Sequence, residues 1–183
     1  MTSPGVSFRP FTSVRIVVDT PLSFDEVSRR LKAEMGNGNI PEILALAKAA
    51  HTESEFADEV TKRYVGRSGF MLFAEIDHGT WLTAFGIHRR SVRWVLGNPL
   101  IAVTMIRHDI TAGLFAPVEL LITEHEDGGG TNIVYIRPSS LILVEENEPL
   151  RQAAELLDTK LAALVTSATG PVGEVDGSQM PRS

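Results

Sequence analysis

Alternating hydrophobic and polar residues predict five β-strands along the chain. In the first, Val14, Ile16 and Val18 alternate with polar neighbours. A period of two places successive side chains on opposite faces of a strand. The segments with this pattern are residues 13–19, 69–77, 90–96, 118–124 and 132–137. The glycine-rich stretch 127–130 joins the last two and predicts a hairpin.

Hydrophobic residues that recur every three or four positions predict helices between and after these strands. Ser23 stands three residues before Glu26, a capping-box spacing that predicts the start of the first helix. Two further helices are predicted within residues 36–68, and shorter ones at 81–85 and from Pro99. The longest helix begins near Pro149, with Leu150, Ala154, Leu157, Leu161 and Leu164 at helical spacing.

The order of these elements predicts an α+β fold. Hairpin-linked strands favour an antiparallel sheet with its helices on one face. We expect the sheet to curve around the long C-terminal helix and to leave a cleft between them. One domain is predicted over residues 8–168, with a helical insertion at 36–68. Gly, Pro, Ser and polar residues prevail from 170 to 183 and predict a disordered tail.

Composition narrows the classes of function. The 183 residues are 43% hydrophobic and 22% charged, as expected for a globular protein. No cysteine is present, which excludes disulfides, thiolate metal sites and cysteine nucleophiles. The formal net charge of −6 disfavours nucleic acid and acidic membranes as partners. With no secretory signal or apolar run near the ~20 residues of a membrane span, we expect a cytoplasmic location.

Several short motifs occur together between Phe73 and Leu164. They are Ile76-Asp77-His78 after an apolar strand, Gly97-Asn98-Pro99, Ala116-Pro117 before a strand, a glycine hairpin, and Tyr135 through Pro138. In this order, and followed by a leucine-rich helix, they resemble domain-of-unknown-function family 302. The resemblance implies a strand–helix–four-strand–helix core, similar to helix-grip and TATA-binding-protein-like domains. It implies that homodimers are common, and it implies no activity.

Asp77 and His78 form the first candidate pair for chemistry. A histidine can accept and return a proton near neutral pH, and a carboxylate can orient or stabilise a cation. Adjacent residues of a strand point to opposite faces, so Asp77 is not expected to support His78 directly. In the alternative interpretation, Asp77 caps the following short helix and His78 bonds to the backbone at the end of the strand.

Asn98 is the second candidate, because it lies where a strand gives way to a helix. Backbone N–H groups at a helix start can bind anions, and Asn98 could contact a ligand there. Its alternative role is that of a helix cap, which the sequence favours. A phosphate loop would need more glycines than Gly97 alone.

Further polar residues have weaker patterns. A metal site could draw on His78, His108, Asp109 and Glu119, although their spacing matches no recognised ligand motif, so no metal is predicted. Asp109 could instead form a turn, and Glu119 could lie on an exposed strand face. The basic cluster His88, Arg89, Arg90 and Arg93 could receive a carboxylate or phosphate, or could form a solvated sheet edge.

Three hypotheses of function follow. The first is a small-molecule pocket without a cofactor, in which His78 and Asp77 catalyse proton transfer of the isomerase, lyase or hydrolase kind. Residues expected to contact the ligand are Asn98, Glu119, Trp81, Tyr135 and His108. The second is a non-catalytic carrier of an apolar ligand, which needs the pocket but not His78. The third is a homodimeric interaction module.

Overall fold

A computed structural model describes residues 5–170. The strands are β1 (Arg15–Thr20), β2 (Gly36–Asn37), β3 (Met71–Asp77), β4 (Ser91–Gly97), β5 (Val118–Glu124) and β6 (Thr131–Ile136). The α-helices are α1 (Phe24–Glu34), α2 (Ile40–Ala49), α3 (Glu53–Tyr64), α4 (His78–Leu82), α5 (Pro99–Ile106), α6 (Pro138–Ile142) and α7 (Glu148–Thr169). Short 3-10 helices span Thr83–Phe85 and Ile110–Phe115. The predicted disordered tail lies, from residue 171 onward, outside the described residues.

The six strands form one open sheet in the order β1-β6-β5-β4-β3-β2. Every neighbouring pair is antiparallel except β2 and β3, which are parallel. The predicted α+β class, its antiparallel strands and its long C-terminal helix are therefore confirmed. The sequence pattern missed β2, because the two residues Gly36 and Asn37 show no alternation.

The two faces of the sheet have different environments. Val118, Leu120 and Ile122 of β5 point to the inner face and are at most 9% exposed. They pack with the buried sides of α1 and α7 in the main hydrophobic core. The long C-terminal helix therefore packs on one face of the sheet, as predicted, but the helices do not all share that face, because residues of α4 border the opposite one. Glu119, Leu121 and Thr123 alternate with the inner residues and point to the opposite, outer face.

The start of α1 agrees with the predicted N-cap only in part. The Ser23 hydroxyl accepts a hydrogen bond from the Glu26 N–H at 3.3 Å. The Glu26 carboxylate does not accept a hydrogen bond from the Ser23 N–H, as a full capping box requires. It pairs instead with Arg29 at 2.7 Å and with Arg30 at 2.6 Å. Hydrogen bonds from these two guanidinium groups lower the pKa of Glu26 to about 2. Half of the capping box is present, and ion pairs replace the other half.

The predicted helical insertion at 36–68 contains α2 and α3, which pack into a second hydrophobic cluster. Ile43, Val60 and Met71 form its buried centre. Beyond α3 the chain returns to the sheet, where the N–H groups of Gly36 and Gly66 both bond the carbonyl of Phe70, at 3.0 and 3.1 Å. The insertion is thus fastened by backbone contacts to the start of β3, beside α5.

Candidate binding site

The predicted site residues do not form a single cluster. They are divided among a polar cleft between α1 and the β3–β4 connection, the outer sheet face, and an apolar pocket at the end of the sheet. Which of the three places a residue reaches depends on the side of the strand or helix from which its side chain projects. Whether any of these residues has a catalytic role remains a prediction.

Asp77 ends β3 on the inner side and lines the polar cleft. Its carboxylate accepts hydrogen bonds from the N–H of Thr80 at 3.0 Å and from its hydroxyl at 2.6 Å. These bonds lower the pKa of Asp77 below its ordinary value. The predicted capping role is therefore confirmed. The carboxylate remains ionised and held in place at neutral pH.

His78 begins α4 and lies on the other side of the sheet. Its ring makes an edge-to-face contact with Trp81 at 5.8 Å between centroids. Both residues line a shallow groove over the outer sheet face, together with Glu119. The Glu119 carboxylate pairs with Arg93 on the neighbouring strand and raises the pKa of that guanidinium. The opposite orientations predicted for Asp77 and His78 are thus observed.

Tyr135 also borders the groove over the outer sheet face, whereas His108 borders none of the three cavities. Tyr135 is only 6% exposed, on the inner side of β6. Burial, and then the negative charge of Asp158, raise the pKa of its hydroxyl above the ordinary value. His108 is exposed beyond α5, and its carbonyl accepts a hydrogen bond from Asn147 at 3.3 Å.

Asn98 is the N-cap of α5, as the sequence favours. Its side-chain oxygen accepts a hydrogen bond from the N–H of Leu100 at 2.8 Å. Its amide nitrogen donates to the carbonyl of Gly69 at 2.9 Å. This bond joins the start of α5 to the segment just before β3. Because these bonds engage both the oxygen and the nitrogen of the side-chain amide, the primary role of Asn98 is structural. It nevertheless lines the apolar pocket.

The apolar pocket has a volume of about 220 Å³ and opens to solvent between α2, α5 and α7. Among its described lining residues, Asn98 is the one with a polar side chain. The others are Ile40, Ile43, Leu44, Phe70, Phe73, Gly97, Pro99, Ile101, Ala102, Met105, Ala116, Pro117, Val118 and Leu157. The Gly97-Asn98-Pro99 and Ala116-Pro117 motifs meet here. Such a lining can hold an apolar molecule by burial and shape but offers no acid, base or nucleophile.

Sequence reasoning missed most of this lining, although one signal pointed to it. The predicted site combined strand-end residues with the C-terminal helix, and Leu157 of that helix does line the pocket. The pocket also needs α2, whose Ile43 faces inward and is 7% exposed. This helix belongs to the insertion at 36–68, which the sequence suggests could form a lid or a wall, and its residues do line one side of the pocket.

The described part of the chain gives no support to a metal site or a membrane span. Between residues 5 and 170, His, Asp and Glu side chains form no group of three that could hold a metal ion. The alternative site drawn from His78, His108, Asp109 and Glu119 is therefore not assembled. No helix within the same residues is long and apolar enough to cross a bilayer.

Together, the fold and its cavities define an α+β protein with an open, mostly antiparallel sheet and an apolar pocket at the end of that sheet. The chain belongs to the DUF302 family, a domain of unknown function, whose family model matches residues 46–168. The match begins within α2, so residues 46–68 of the helical insertion lie inside it. This membership confirms the resemblance seen in the sequence.

A solved structure supports the fold. The crystal structure of an uncharacterized conserved DUF302 protein from Bacillus stearothermophilus superposes with a TM-score of 0.59 and 18% sequence identity. The similarity covers 84% of this chain and 97% of that chain. At this identity it shows a shared fold and no more. No curated protein matches the sequence significantly.

Proposed function

We propose that this protein binds a small apolar molecule, of about one aromatic ring or a short alkyl chain, in the apolar pocket. The observation that carries the proposal is an open space of about 220 Å³ with an almost wholly apolar lining. Protein interiors keep few voids larger than a water molecule. An apolar cavity of about 150 Å³ in another protein stays dry and binds benzene. A ring-sized ligand would therefore fit the space and gain burial of its apolar surface.

The position of the pocket also supports the finer fold hypothesis of a helix-grip domain. Leu157 contributes to the pocket from α7, Val118 contributes from β5, and the insertion closes the side with Ile43. A ligand would thus lie between the end of the sheet and the terminal helix. Binding needs no cofactor, because burial of apolar surface supplies the driving force.

Fluorobenzene is a suitable probe, and its binding can be followed by ¹⁹F NMR. We expect a saturable shift with the wild-type protein. Ala102 lines the pocket from α5, so Ala102→Phe should fill the space and weaken binding at least about tenfold, or about 1.4 kcal/mol. The control Ala162→Phe adds the same ring at an exposed site on α7. Equal affinity in the two variants would contradict the proposal.

His78 distinguishes this carrier from the acid–base enzyme. The residue borders the outer sheet face and does not line the apolar pocket. His78→Ala should therefore leave the affinity for fluorobenzene unchanged. A loss of binding in His78→Ala would instead support a ligand site that includes this histidine.

A second candidate function, homodimerisation, is favoured by the outer sheet face. Strand register aligns one row of side chains across five strands: Val17, Val134, Leu121, Arg93 and Ile76. Four of the five are hydrophobic, and Val17 and Ile76 are 43% and 39% exposed. A two-fold axis through this row would bring the same apolar surface together from both copies.

Leu121→Asp tests the dimer, because it places a carboxylate at the centre of the row. We expect the wild-type protein to sediment as a dimer in analytical ultracentrifugation and the variant to sediment as a monomer. Leu114→Asp is the matched control, since Leu114 is 80% exposed and lies in a 3-10 helix away from this row. A monomeric wild type, or a variant that remains dimeric, would contradict this assignment.

A further inference from the structure

The polar cleft is a second cavity, and it shares no lining residue with the apolar pocket. It has a volume of about 600 Å³ and lies on the inner side of the sheet edge. Ser28 and Lys32 line it from α1, Glu75 and Trp94 from neighbouring strands, and Thr80 from α4. An inference about this cleft therefore does not depend on the function proposed for the apolar pocket.

The charges around the cleft are balanced and paired. Its acidic residues are Asp25, Glu75 and Asp77, and its basic residues are Lys32, Arg89 and Arg90. Lys32 contacts Glu75 at 2.8 Å, and Arg90 contacts Asp25 at 2.7 Å. Because these charges cancel, the cleft has no net positive charge that would favour a multiply charged anion over a singly charged one.

Two buried polar atoms in the wall of the cleft have no hydrogen-bond partner among the described residues. They are the indole nitrogen of Trp94, a residue only 1% exposed, and the hydroxyl oxygen of Ser28. Buried polar groups are normally paired, and an unpaired one costs free energy. An indole N–H can only donate. Whatever satisfies Trp94 must therefore present an acceptor.

Lys32 supplies further donors to the same cleft. The ammonium nitrogen of Lys32 is 5.3 Å from the centre of the Trp94 ring, and Ser28 is one helical turn before Lys32. The ammonium carries three N–H groups, and Glu75 accepts from one of them. The two donors without a partner, and the N–H groups of Lys32 that Glu75 does not use, match a group with two acceptor oxygens and one negative charge.

We propose that the polar cleft binds a small molecule through a carboxylate. One carboxylate oxygen accepts from the Trp94 indole and Ser28 hydroxyl, and the other accepts from Lys32. The ammonium is then shared between the ligand and Glu75. Competition for Lys32 is the feature that distinguishes this site from a structural ion pair.

Propionate titration, observed through the indole N–H signals, tests the site directly. The chain contains two tryptophans, so two such signals are expected. Trp94 is buried and reports on the cleft, whereas Trp81 is 52% exposed and serves as the reference signal. A carboxylate acceptor should move the Trp94 proton saturably to lower field and leave Trp81 unmoved. Propionamide and inorganic phosphate should give at least tenfold weaker effects.

Three variants decide the role of each group. Lys32→Met should weaken propionate at least tenfold, while Lys48→Met, at an exposed position on α2, should have no effect. Ser28→Ala should weaken binding without removing any charge. Glu75→Gln should tighten it several-fold, because Lys32 is no longer shared. That gain would not arise from a merely structural ion pair.

Clear results would overturn the inference. A Trp94 signal that shows exchange with water and no response to propionate would mean that a water molecule occupies the site. Equal propionate affinity in Lys32→Met and wild type, or tighter phosphate than propionate binding, would also reject it. An unchanged Trp81 signal and backbone spectrum would show that the variants remain folded.

Discussion

Leu161→Ala is expected to lower the free energy of unfolding by about 2–5 kcal/mol. Leu161 is fully buried in the main core, on the stripe of α7 that faces the sheet. Truncation removes apolar contacts and leaves a cavity, because the surrounding backbone is held by the sheet and α1. Urea denaturation monitored by circular dichroism would measure the loss.

Leu156→Ala is the matched control for this prediction. The same substitution falls in the same helix, but Leu156 is 55% exposed. Its effect should stay within about 0.5 kcal/mol, as for most surface positions. Similar losses at Leu156 and Leu161 would mean that α7 does not pack through the predicted stripe, or that a second copy covers Leu156.

The elements that could be predicted from sequence are those whose signals are local. The stripe of α7 follows from helical spacing, and the start of α5 follows from Asn98-Pro99, a cap and a first-turn proline. The inner and outer faces follow from alternation within each strand. These features depend on neighbours only a few residues away, so one sequence suffices to predict them.

Two missed elements show where local signals fail. The strand β2 has only two residues. It forms because the N–H groups of Gly36 and Gly38 donate to the carbonyls of Phe70, just before β3, and of Leu72 within it. The short helix α6 spans Pro138–Ile142, and Asp158 of α7 holds its start by accepting from the N–H and hydroxyl of Ser139. In both cases the stabilising partner is distant in sequence.

The candidate site was harder to predict than the fold for the same reason. The apolar pocket joins Ile43, Ala102, Pro117 and Leu157, which only the tertiary structure brings together. Trp94 is an instructive case. Its place between Val92 and Leu96 predicts an inward side chain, but not an indole N–H without a partner. Sequence indicated the residue types, and topology decided which cavity each one lines.

Gly66→Ala is expected to destabilise the protein by about 3 kcal/mol and to weaken fluorobenzene binding. A methyl group at Gly66 would overlap backbone atoms of Gly36 and Met35, which cannot move aside as a side chain can. The chain after α3 would have to shift and lose the hydrogen bond from Gly66 to Phe70. Urea denaturation and ¹⁹F titration would measure the two effects.

Gly113→Ala is the control that distinguishes the steric overlap at Gly66 from a general effect of replacing glycine by alanine. A methyl group there would meet Ile106 at 3.7 Å, an ordinary contact, and its stability should change by no more than about 0.5 kcal/mol. Gly66→Ala is expected to lower both stability and fluorobenzene affinity. The close approach of the Gly36 and Gly66 backbones holds the α2–α3 segment against the residue before β3, and α2 supplies one wall of the apolar pocket. If Gly66→Ala lost stability but bound fluorobenzene normally, the position of α2 would not depend on that crossing. If it lost neither, the backbones would not approach closely in solution.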